Sequence, residues 1–172
     1  MADDSIVLGA GCFWCTEAVL KMFPGIKDIT VGYTGGNVPN PTYGQVCHGH
    51  TDHIEVALVA YDPKIISLDK ILEIFFSMHD PTSKDKQGAD SGSQYRSAIF
   101  YNDQEQKEII ERRMLEEQKE HEKPIVTEVK KLDKFYPAED YHKDYYKNNP
   151  LQPYCMLVIR PKLSKIKKEF GL

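Results

Sequence analysis

The chain has 172 residues, which suits one domain with its own core, and its 41% hydrophobic and 28% charged residues are typical of a globular protein. A net charge of −4 argues against a general nucleic-acid binder, and no apolar run is long enough to span a membrane. Residues 1–4 lack the basic and apolar regions of a signal peptide, so we expect a cytoplasmic protein. There, four cysteines are expected to be catalytic, metal-binding or buried rather than a disulfide framework.

The N-terminal part of the chain predicts two strands around a helix. Residues 6–8 are an apolar run before two glycines, and residues 28–33 alternate between apolar and polar, so both predict strands. Between them, a short helix is predicted over about 15–22 and is ended by a Pro-Gly pair. Residues 35–49 contain glycines, prolines and asparagines without a period, which indicates a long loop of the kind that is often functional.

The rest of the chain mixes helices and strands without strict alternation. Ser67 caps a predicted helix with an apolar stripe, and a charged helix with a solvated face is predicted over about 103–122. A second glycine-containing loop covers 82–94. The remaining strand predictions are 54–61, 97–101, 125–129 and 155–159. Because there is no repeat and no linker, we predict one α+β domain over residues 1–172, a mixed sheet with helices packed on it.

The segment "GAGCFWCTEA" places Cys12 and Cys15 three residues apart between a predicted strand and a predicted helix. A thiolate at a helix N-terminus meets the positive end of the macrodipole and unpaired N–H groups, and both lower the thiol pKa. Residues i and i+3 of a first helical turn are neighbours, so the two sulfurs can form a disulfide without a large movement. Two small buried residues near a turn are the simpler interpretation, which the coincidence of glycines with a CxxC spacing disfavours.

Two other interpretations of the cysteines stay open at this point. The CxxC pair alone would suit a general thiol–disulfide oxidoreductase, which needs only disulfide exchange. Cys12, Cys15, Cys47 and His48 would supply four ligands to the zinc of an interaction domain. However, Cys47 and His48 are adjacent, unlike the usual ligand pairs, and the chain has no second CxxC. We therefore predict no metal site, and we assign no catalytic role to the six histidines.

Phe13 and Trp14 lie between the two cysteines and therefore close to any thiol chemistry. Aromatic residues after a strand are usually core, but aromatic faces also suit a small apolar or sulfur-containing group, which suggests a substrate with a methyl or thioether. Glu55 shares a predicted strand face with apolar residues. Desolvation there would raise the pKa of this carboxyl and let it act as an acid near neutral pH. A strand-end glutamate that faces water fits the pattern equally well.

Five ordered segments, which run from about Leu8 to the end of the chain, resemble the A-type peptide methionine sulfoxide reductases. They are "GAGCFWCTEA", "GYTGG", "NPTYGQVCHGHTDHIEV", "HDPTSKDKQGADSGSQYRSAIFY" and "YPAEDYHKDYY". The resemblance implies reduction of the S epimer of methionine sulfoxide, free or in proteins, and an α+β fold in the form of a two-layer sandwich with a ferredoxin-like core. The family's catalytic cysteine and acid match Cys12 and Glu55. Its substrate-binding positions match Phe13, Trp14, Tyr43, Asp90 and Tyr95, of which the last three, taken singly, are ordinary loop residues.

The implied reaction begins when the Cys12 thiolate attacks the sulfoxide sulfur. Glu55 protonates the oxygen, and Tyr43 and Tyr95 donate hydrogen bonds to it. Methionine leaves, and Cys12 remains as a sulfenic acid, which a second thiol converts to a disulfide. An external thiol then reduces this disulfide, either a thioredoxin- or glutaredoxin-like dithiol protein or glutathione. No bound cofactor is expected.

The chain departs from the common pattern of this family at the recycling step. Cys15 stands where many members have glycine, and the final "RPKLSKIKKEFGL" lacks the last cysteine that many members carry. Cys155, in "NNPLQPYC", resembles the first resolving cysteine of many members, but the strand predicted after it would hold it in place. We therefore predict Cys15 as the resolving cysteine, Cys155 as the runner-up and Cys47 as the last choice. Asp52 replaces a common glycine, which we interpret as a minor loop change.

Overall fold

The computed structural model describes residues 4–172, so residues 1–3, most of the stretch without signal-peptide character, lie outside it. The strands of the described part are β1 (Asp4–Ala10), β2 (Ile26–Thr34), β3 (Ile54–Tyr61), β4 (Lys86–Gln87), β5 (Asp90–Ser91), β6 (Ser97–Tyr101), β7 (Glu128–Lys131) and β8 (Tyr136–Pro137). Its α-helices are α1 (Phe13–Leu20), α2 (Tyr43–Cys47), α3 (Leu68–Ser77), α4 (Gln104–Gln118), α5 (Tyr145–Asn148) and α6 (Arg160–Phe170). Shorter helical turns are Ser93–Tyr95, Asp140–His142 and the π-helical turn Cys155–Ile159.

A six-stranded sheet with the order β7-β6-β1-β3-β2-β8 organises the fold. Its neighbouring strands are antiparallel except for β6 and β7, which are parallel. The central strand β3 alternates between two apolar clusters, because Ala57 and Val59 face the main core and Ile54 and Val56 face a smaller cluster on the other side. The predicted α+β fold with a mixed sheet and packed helices is confirmed.

The two long predicted helices form as their sequence patterns require. The Ser67 hydroxyl accepts a hydrogen bond from the Lys70 N–H at 3.1 Å and caps α3, which buries its apolar stripe against the sheet. Full burial of each large apolar side chain contributes about 1.5–3 kcal/mol. Asp103 caps α4 in the same way, and this helix buries little beyond Gln106 and Ile110. Its charged residues therefore form the solvated face that the sequence predicts.

The prediction of a strand at 155–159 is wrong, because this segment forms a π-helical turn that leads directly into α6. Cys155 and Ile159 are fully buried, whereas Leu157 between them is 76% exposed. A strand would bury alternate residues and therefore bury Leu157, but burial at a spacing of four is helical. Pro153 starts this helical run, in the first-turn position where proline is tolerated.

Several predicted boundaries shift, and both predicted loops contain short elements. α1 starts at Phe13 instead of about residue 15, and β7 covers Glu128–Lys131 rather than 125–129. The first loop contains α2, which Thr42 caps through the Gln45 N–H at 3.2 Å. The second contains the β4–β5 ribbon. Each strand of this ribbon has two residues, and α2 has five, which is little more than one helical turn. Elements this short do not show a period in the sequence.

Asp52 adopts a left-handed conformation with φ of +60°, in which glycine is favoured and aspartate is tolerated. This conformation would also suit the glycine that the resemblance implies at this position. The Asp52 carboxylate also forms an ion pair with Arg96 at 3.3 Å. The substitution is therefore compatible with the loop. Over residues 4–172, the structure contains no helix that is long and apolar enough to cross a membrane.

Candidate active site

Cys12 lies at the turn that joins the end of β1 to the start of α1. Gly11 makes this turn with φ of +90°, and a Cβ atom there would lie 2.9 Å from Cβ of Gln87. The Cys12 carbonyl accepts the first backbone hydrogen bonds of α1, from the N–H groups of Cys15 at 3.1 Å and Thr16 at 3.3 Å. The predicted arrangement of strand, glycine turn and helix N-terminus is therefore present. It holds the Cys12 thiol just beyond the C-terminal end of β1, an inner strand of the sheet.

The thiols of Cys12 and Cys15 lie in a buried environment. Cys12 is only 8% exposed, and burial together with the neighbouring Cys15 thiol raises its pKa well above the ordinary value. The expectation of a lowered pKa for Cys12 is therefore wrong, because desolvation outweighs the helix terminus. Hydrogen bonding with Cys12 instead lowers the pKa of Cys15.

Glu55 is buried beside the start of α1, with 1% of its surface exposed. Its Oε1 accepts a hydrogen bond from the Phe13 N–H at 3.2 Å, which places the carboxyl one residue along the backbone from Cys12. Within residues 4–172, no donor pairs with Oε2. Burial raises the pKa of Glu55 to about 8, although the Phe13 N–H opposes the shift. The water-facing interpretation of this residue is therefore wrong and its desolvation is confirmed, while its role as an acid stays a prediction.

Phe13 and Trp14 differ in their exposure. Phe13 is 1% exposed and packs in the main core, with its ring centroid 5.7 Å from that of Tyr33. Trp14 is half-buried, and its Nε1 donates a hydrogen bond to Nδ1 of His142 at 2.9 Å. Its ring stacks on Tyr145 with a centroid distance of 3.8 Å and an angle of 6°. Phe13 is therefore a core residue, whereas Trp14 is the more accessible of the two rings.

Tyr43 and Tyr95 reach the site from the two loops. Tyr43 begins α2, and Tyr95 ends the short helical turn before β6. Burial raises the pKa of both hydroxyls, and the nearby Glu55 carboxylate raises each pKa further. Both hydroxyls consequently stay protonated and can donate hydrogen bonds at any physiological pH. The structure brings these two predicted residues together with Glu55.

Asp90 contacts a residue that the sequence analysis missed. Its Oδ2 accepts a hydrogen bond from the Tyr154 hydroxyl at 2.5 Å. The same hydroxyl lies 3.9 Å from Sγ of Cys15, and the Tyr154 ring meets Trp14 edge-on at 5.8 Å. Tyr154 therefore links the second loop to the thiols. The density of tyrosines between residues 136 and 154 was the available signal, but it does not distinguish Tyr154 from its neighbours.

Three of the four cysteines meet at the site. Cys12, Cys15 and Cys155 belong to one buried cluster with Ile159, whereas Cys47 is exposed. Burial raises the pKa of Cys155, and the nearby Cys15 raises it further. In the described part of the chain, no three His, Cys, Asp or Glu side chains are arranged to hold a metal ion. The combination of Cys47 and His48 with the buried pair, considered as a zinc site, is thus not supported.

Glu17 anchors the segment that carries the additional tyrosines. Its Oε1 accepts a hydrogen bond from the Asp144 N–H at 2.8 Å, and Lys21 pairs with its Oε2 at 3.5 Å and with Asp144. Asp144 is left-handed, with φ of +52°, and it precedes α5. Burial raises the pKa of Glu17, and the positive charge of Lys21 acts in the opposite direction. This contact joins the segment 140–159 to α1 at Asp144, separately from the Asp90–Tyr154 contact.

Comparisons with known proteins give consistent matches over nearly the whole chain. A family model described as peptide methionine sulfoxide reductase matches residues 4–171. The peptide methionine sulfoxide reductase MsrA of Nautilia profundicola is 52% identical over 162 residues, which cover 94% of this chain and 93% of the relative. Mxr1 from Saccharomyces cerevisiae in reduced form has a TM-score of 0.84 at 36% identity, with 90% of each chain covered. Mxr1 in complex with Trx2 has a TM-score of 0.62 at 28% identity and covers 84% of this chain and 85% of that chain. The comparisons support neither a general CxxC oxidoreductase nor a zinc-stabilised domain.

Proposed function

The chain belongs to the peptide methionine sulfoxide reductase family and catalyses the thiol-dependent reduction of methionine sulfoxide, and on this premise we propose that Cys12 is the attacking thiol and Glu55 the acid. The observation that carries the proposal is the position of Glu55. Its buried carboxyl is tied to the Phe13 N–H, directly after Cys12. With its pKa raised to about 8 by burial, Glu55 carries its proton at neutral pH.

In the proposed reaction, the oxygen of the substrate moves to the enzyme. Sγ of Cys12 loses its proton and attacks the sulfoxide sulfur, while Glu55 donates its proton to the oxygen. The attack forms a bond between Sγ and the substrate sulfur. This bond and the sulfur–oxygen bond of the substrate then break as the hydroxyl passes to Sγ, so methionine leaves and Cys12 becomes a sulfenic acid. The thiol proton restores Glu55, so the sum is one thiol and one sulfoxide converted to one sulfenic acid and one thioether. The hydroxyls of Tyr43 and Tyr95, which face Glu55, donate hydrogen bonds to the developing negative oxygen.

The methyl group of the substrate is proposed to bind against Phe13 and Trp14. Aromatic rings offer an apolar and polarisable surface that suits methyl and sulfur groups. A fixed methyl group beside a fixed oxygen site would distinguish the two epimers at sulfur, and the resemblance to the family implies that the S epimer, free or in proteins, is the substrate. Asp90 takes part through Tyr154, whose hydroxyl it orients.

Cys15 is proposed to resolve the sulfenic acid, with Cys155 as the runner-up. The Cys15 N–H donates to the Cys12 carbonyl at 3.1 Å, so the two residues share one helical turn. The hydrogen bond with Cys12 lowers the pKa of Cys15, which favours the nucleophilic thiolate. Cys155 is a stronger competitor than the sequence indicates, because it lies in the same buried cluster. Condensation of the Cys15 thiol with the sulfenic acid releases water and forms the disulfide.

One equivalent of methionine S-sulfoxide without reductant tests this assignment. Peptide mapping under non-reducing conditions should give a Cys12–Cys15 bond, and Cys15→Ser should abolish it, whereas Cys155→Ser should not. A Cys12–Cys155 bond in the wild type would instead make Cys155 the resolving residue. A persistent sulfenic acid would assign the step to an external thiol such as glutathione.

An external thiol closes the cycle. A relative of known structure, Mxr1, forms a complex with Trx2, and we propose a thioredoxin-like dithiol protein as the reductant, with glutaredoxin or glutathione as the alternative. The reaction needs no bound cofactor, because both electrons come from thiols. A cytoplasmic location is proposed because that compartment keeps thiols reduced.

We further propose that the core of the fold is a ferredoxin-like two-layer sandwich. The order β6-β1-β3-β2 with antiparallel neighbours supports this assignment. The helices α1 and α3 follow β1 and β3, as the two βα connections of that fold require. The contacts of α1 with β2 and β3 place it on one face of the sheet.

Separate assays of the S and R epimers, with dithiothreitol as reductant, test the proposed function. The wild type should reduce only the S epimer, and Cys12→Ser should reduce neither, because a hydroxyl is a far weaker nucleophile at neutral pH. Cys47→Ser serves as the matched control, since this exposed thiol lies outside the buried cysteine cluster and serine keeps a hydrogen-bonding group beside the Tyr43 hydroxyl. Wild-type turnover in Cys12→Ser would refute the assignment.

A further inference from the structure

Exposed apolar side chains are concentrated on the segment that covers the active site. Leu151 is 75% exposed, Met156 40% and Leu157 76%. These three residues lie within seven positions of each other, while the other large exposed apolar residues are scattered along the described chain. We call them the apolar patch. Single exposed leucines are ordinary, but several in one short segment mark an interaction surface.

The other side of the same helical turn faces the thiols. Cys155 and Ile159 are fully buried in the cluster that contains Cys12 and Cys15. A helix is about 10–12 Å in diameter, so only this turn separates the patch from the sulfurs. A protein that binds the patch therefore contacts the element that covers the sulfurs. Binding at this surface and access to the active-site thiols are thereby coupled.

The segment that carries the patch is basic, although the protein as a whole is acidic. Residues 143–172 contain seven Lys or Arg and two Asp or Glu, a net charge of +5, whereas the whole chain has −4. Arg160, Lys165 and Lys168 are exposed beyond Leu157, and in the part of the chain that the structure describes none of them forms an ion pair with a carboxylate. This charge distribution favours a partner with an acidic surface.

We propose that the apolar patch, with its rim of Arg160, Lys165 and Lys168, is the docking surface for an acidic dithiol protein of the thioredoxin type. The proposal rests on the proposed function, because an enzyme that ends each cycle as a disulfide must receive a reductant beside its thiols. A second copy of this chain fits less well, since a symmetric dimer would bring two basic rims together. A protein substrate is recognised through its oxidised methionine and does not require an acidic surface.

The substitution Leu157→Glu tests the docking surface, and Leu115→Glu is its matched control. Leu115 lies on α4 and is 71% exposed, so both variants place the same charge at an equally open leucine. Turnover is measured with thioredoxin, its reductase and NADPH, and separately with dithiothreitol. We expect Leu157→Glu to raise the KM for thioredoxin at least tenfold and to leave dithiothreitol-supported turnover unchanged. Leu115→Glu should leave both unchanged.

Two further variants sharpen the result. Leu157→Ser removes the apolar surface without adding charge and should raise the KM for thioredoxin to a smaller extent. Arg160→Glu should raise it at low ionic strength, and the difference from wild type should shrink at 0.5 M salt, because exposed charges are screened over about 10 Å at 0.1 M and less at higher salt.

An unchanged KM for thioredoxin in Leu157→Glu would overturn the proposal. A raised KM for an oxidised protein substrate, with the KM for thioredoxin unchanged, would assign the patch to the substrate instead. Conversion of a dimer to a monomer in light scattering would assign it to a second copy. Failure of the proposed function itself would be recognised separately, as loss of dithiothreitol-supported reduction in the wild type.

Discussion

Cys12 and Glu55 are held by the central strands of the sheet, whereas Tyr145 and Tyr154 reach the same site from a short segment that follows the last strand. The first pair depends on an extensive antiparallel ladder between β1 and β3, with cores on both faces. The second depends on side-chain packing and a few polar contacts, chiefly those of Glu17 with Asp144 and of Asp90 with Tyr154.

We call the residues that the sheet holds the rigid half of the site, and the segment that carries Tyr145 and Tyr154 is its other half. The difference between these halves shows how the site divides its tasks. A group that must transfer a proton needs a fixed position, and the sheet provides it through many cooperative contacts. A cover that must admit a substrate and later a reductant needs a small free energy of opening, and the terminal segment, with few contacts, meets that need. Substitutions in the rigid half should therefore change the rate of the chemical step. Substitutions in the terminal segment should change its stability or how often it opens.

Glu55→Gln should have the largest effect, because it removes the acid from the rigid half. We expect the sulfoxide step to slow by about 10²–10⁴-fold, the usual range for a lost general acid. Since burial raises the pKa of Glu55 to about 8, the advantage of the wild type over the variant should fall as the pH rises through 8, because Glu55 then loses the proton that it donates. The deficit of the variant should shrink at low pH, where the solvent supplies protons. Single-turnover rates across pH measure both effects.

The control for this prediction is Glu117→Gln on α4, where burial also raises the pKa of a carboxyl but no thiol is near. It should keep the wild-type rate and pH profile. Equal profiles for Glu55→Gln and wild type would show that Glu55 is only structural.

Trp14→Ala should come next, since Trp14 connects the two halves. It removes one wall of the proposed methyl site and also the surface on which Tyr145 stacks. We expect kcat/KM to fall by about 10²-fold, a magnitude that misplacement of a substrate by about 1 Å can cause. Trp14→Phe, which retains a ring, should recover part of the loss. Unchanged kinetics at limiting substrate would show that Trp14 is a packing residue.

The stability of the rigid half should depend on the same carboxyl that serves catalysis. The pKa of Glu55 is raised in the folded protein to about 8 from an ordinary 4.5, so the native state binds more protons than the unfolded state between these values. Stability therefore falls as the pH rises through this range, by about 1.4 kcal/mol for each pH unit. We expect Glu55→Gln to be more stable than wild type by about 1–3 kcal/mol at pH 7 and by less at pH 5. Urea unfolding at both pH values measures this difference, and equal curves would contradict it.

The rigid half could be predicted from the sequence because its patterns are regular. Alternation along residues 54–61 located β3 and the face of Glu55, and the glycines before Cys12 located the turn. The segment 140–159 could not be predicted in the same way. The apolar run at 155–159 predicts a strand. Tertiary packing against α1 instead imposes a helical turn that buries Cys155 and exposes Leu157.

The pKa of Cys12 and the roles of His142 and Tyr154 were unpredictable for a related reason. Each depends on contacts between residues that are far apart in the chain, such as the hydrogen bond from Trp14 to His142. A sequence pattern records local periodicity and does not record which distant side chains meet. The resemblance to a family supplied Tyr43, Asp90 and Tyr95, but the segment's contribution became visible only in the fold.

Tyr154→Phe should have the smallest effect, because it keeps the ring and removes one hydroxyl, which donates to Asp90 and lies 3.9 Å from Sγ of Cys15. The variant keeps the ring that packs edge-on against Trp14 and removes only the hydroxyl that Asp90 accepts from. A hydrogen bond to a charged group contributes about 1.5–3 kcal/mol when buried, and this contact is half-buried, so we expect a loss of about 1 kcal/mol in the free energy of unfolding. Tyr146→Phe is the matched control in the same segment, since among residues 4–172 its hydroxyl has no hydrogen-bond partner, and it should unfold like the wild type.

The same variant tests how the segment opens. The segment should open more often in Tyr154→Phe, so amide hydrogen exchange at residues 145–159 should become faster while exchange in β1 and β3 stays at the wild-type rate. Equal acceleration in the strands would mean that the two halves unfold as one unit, which would contradict the difference drawn between them.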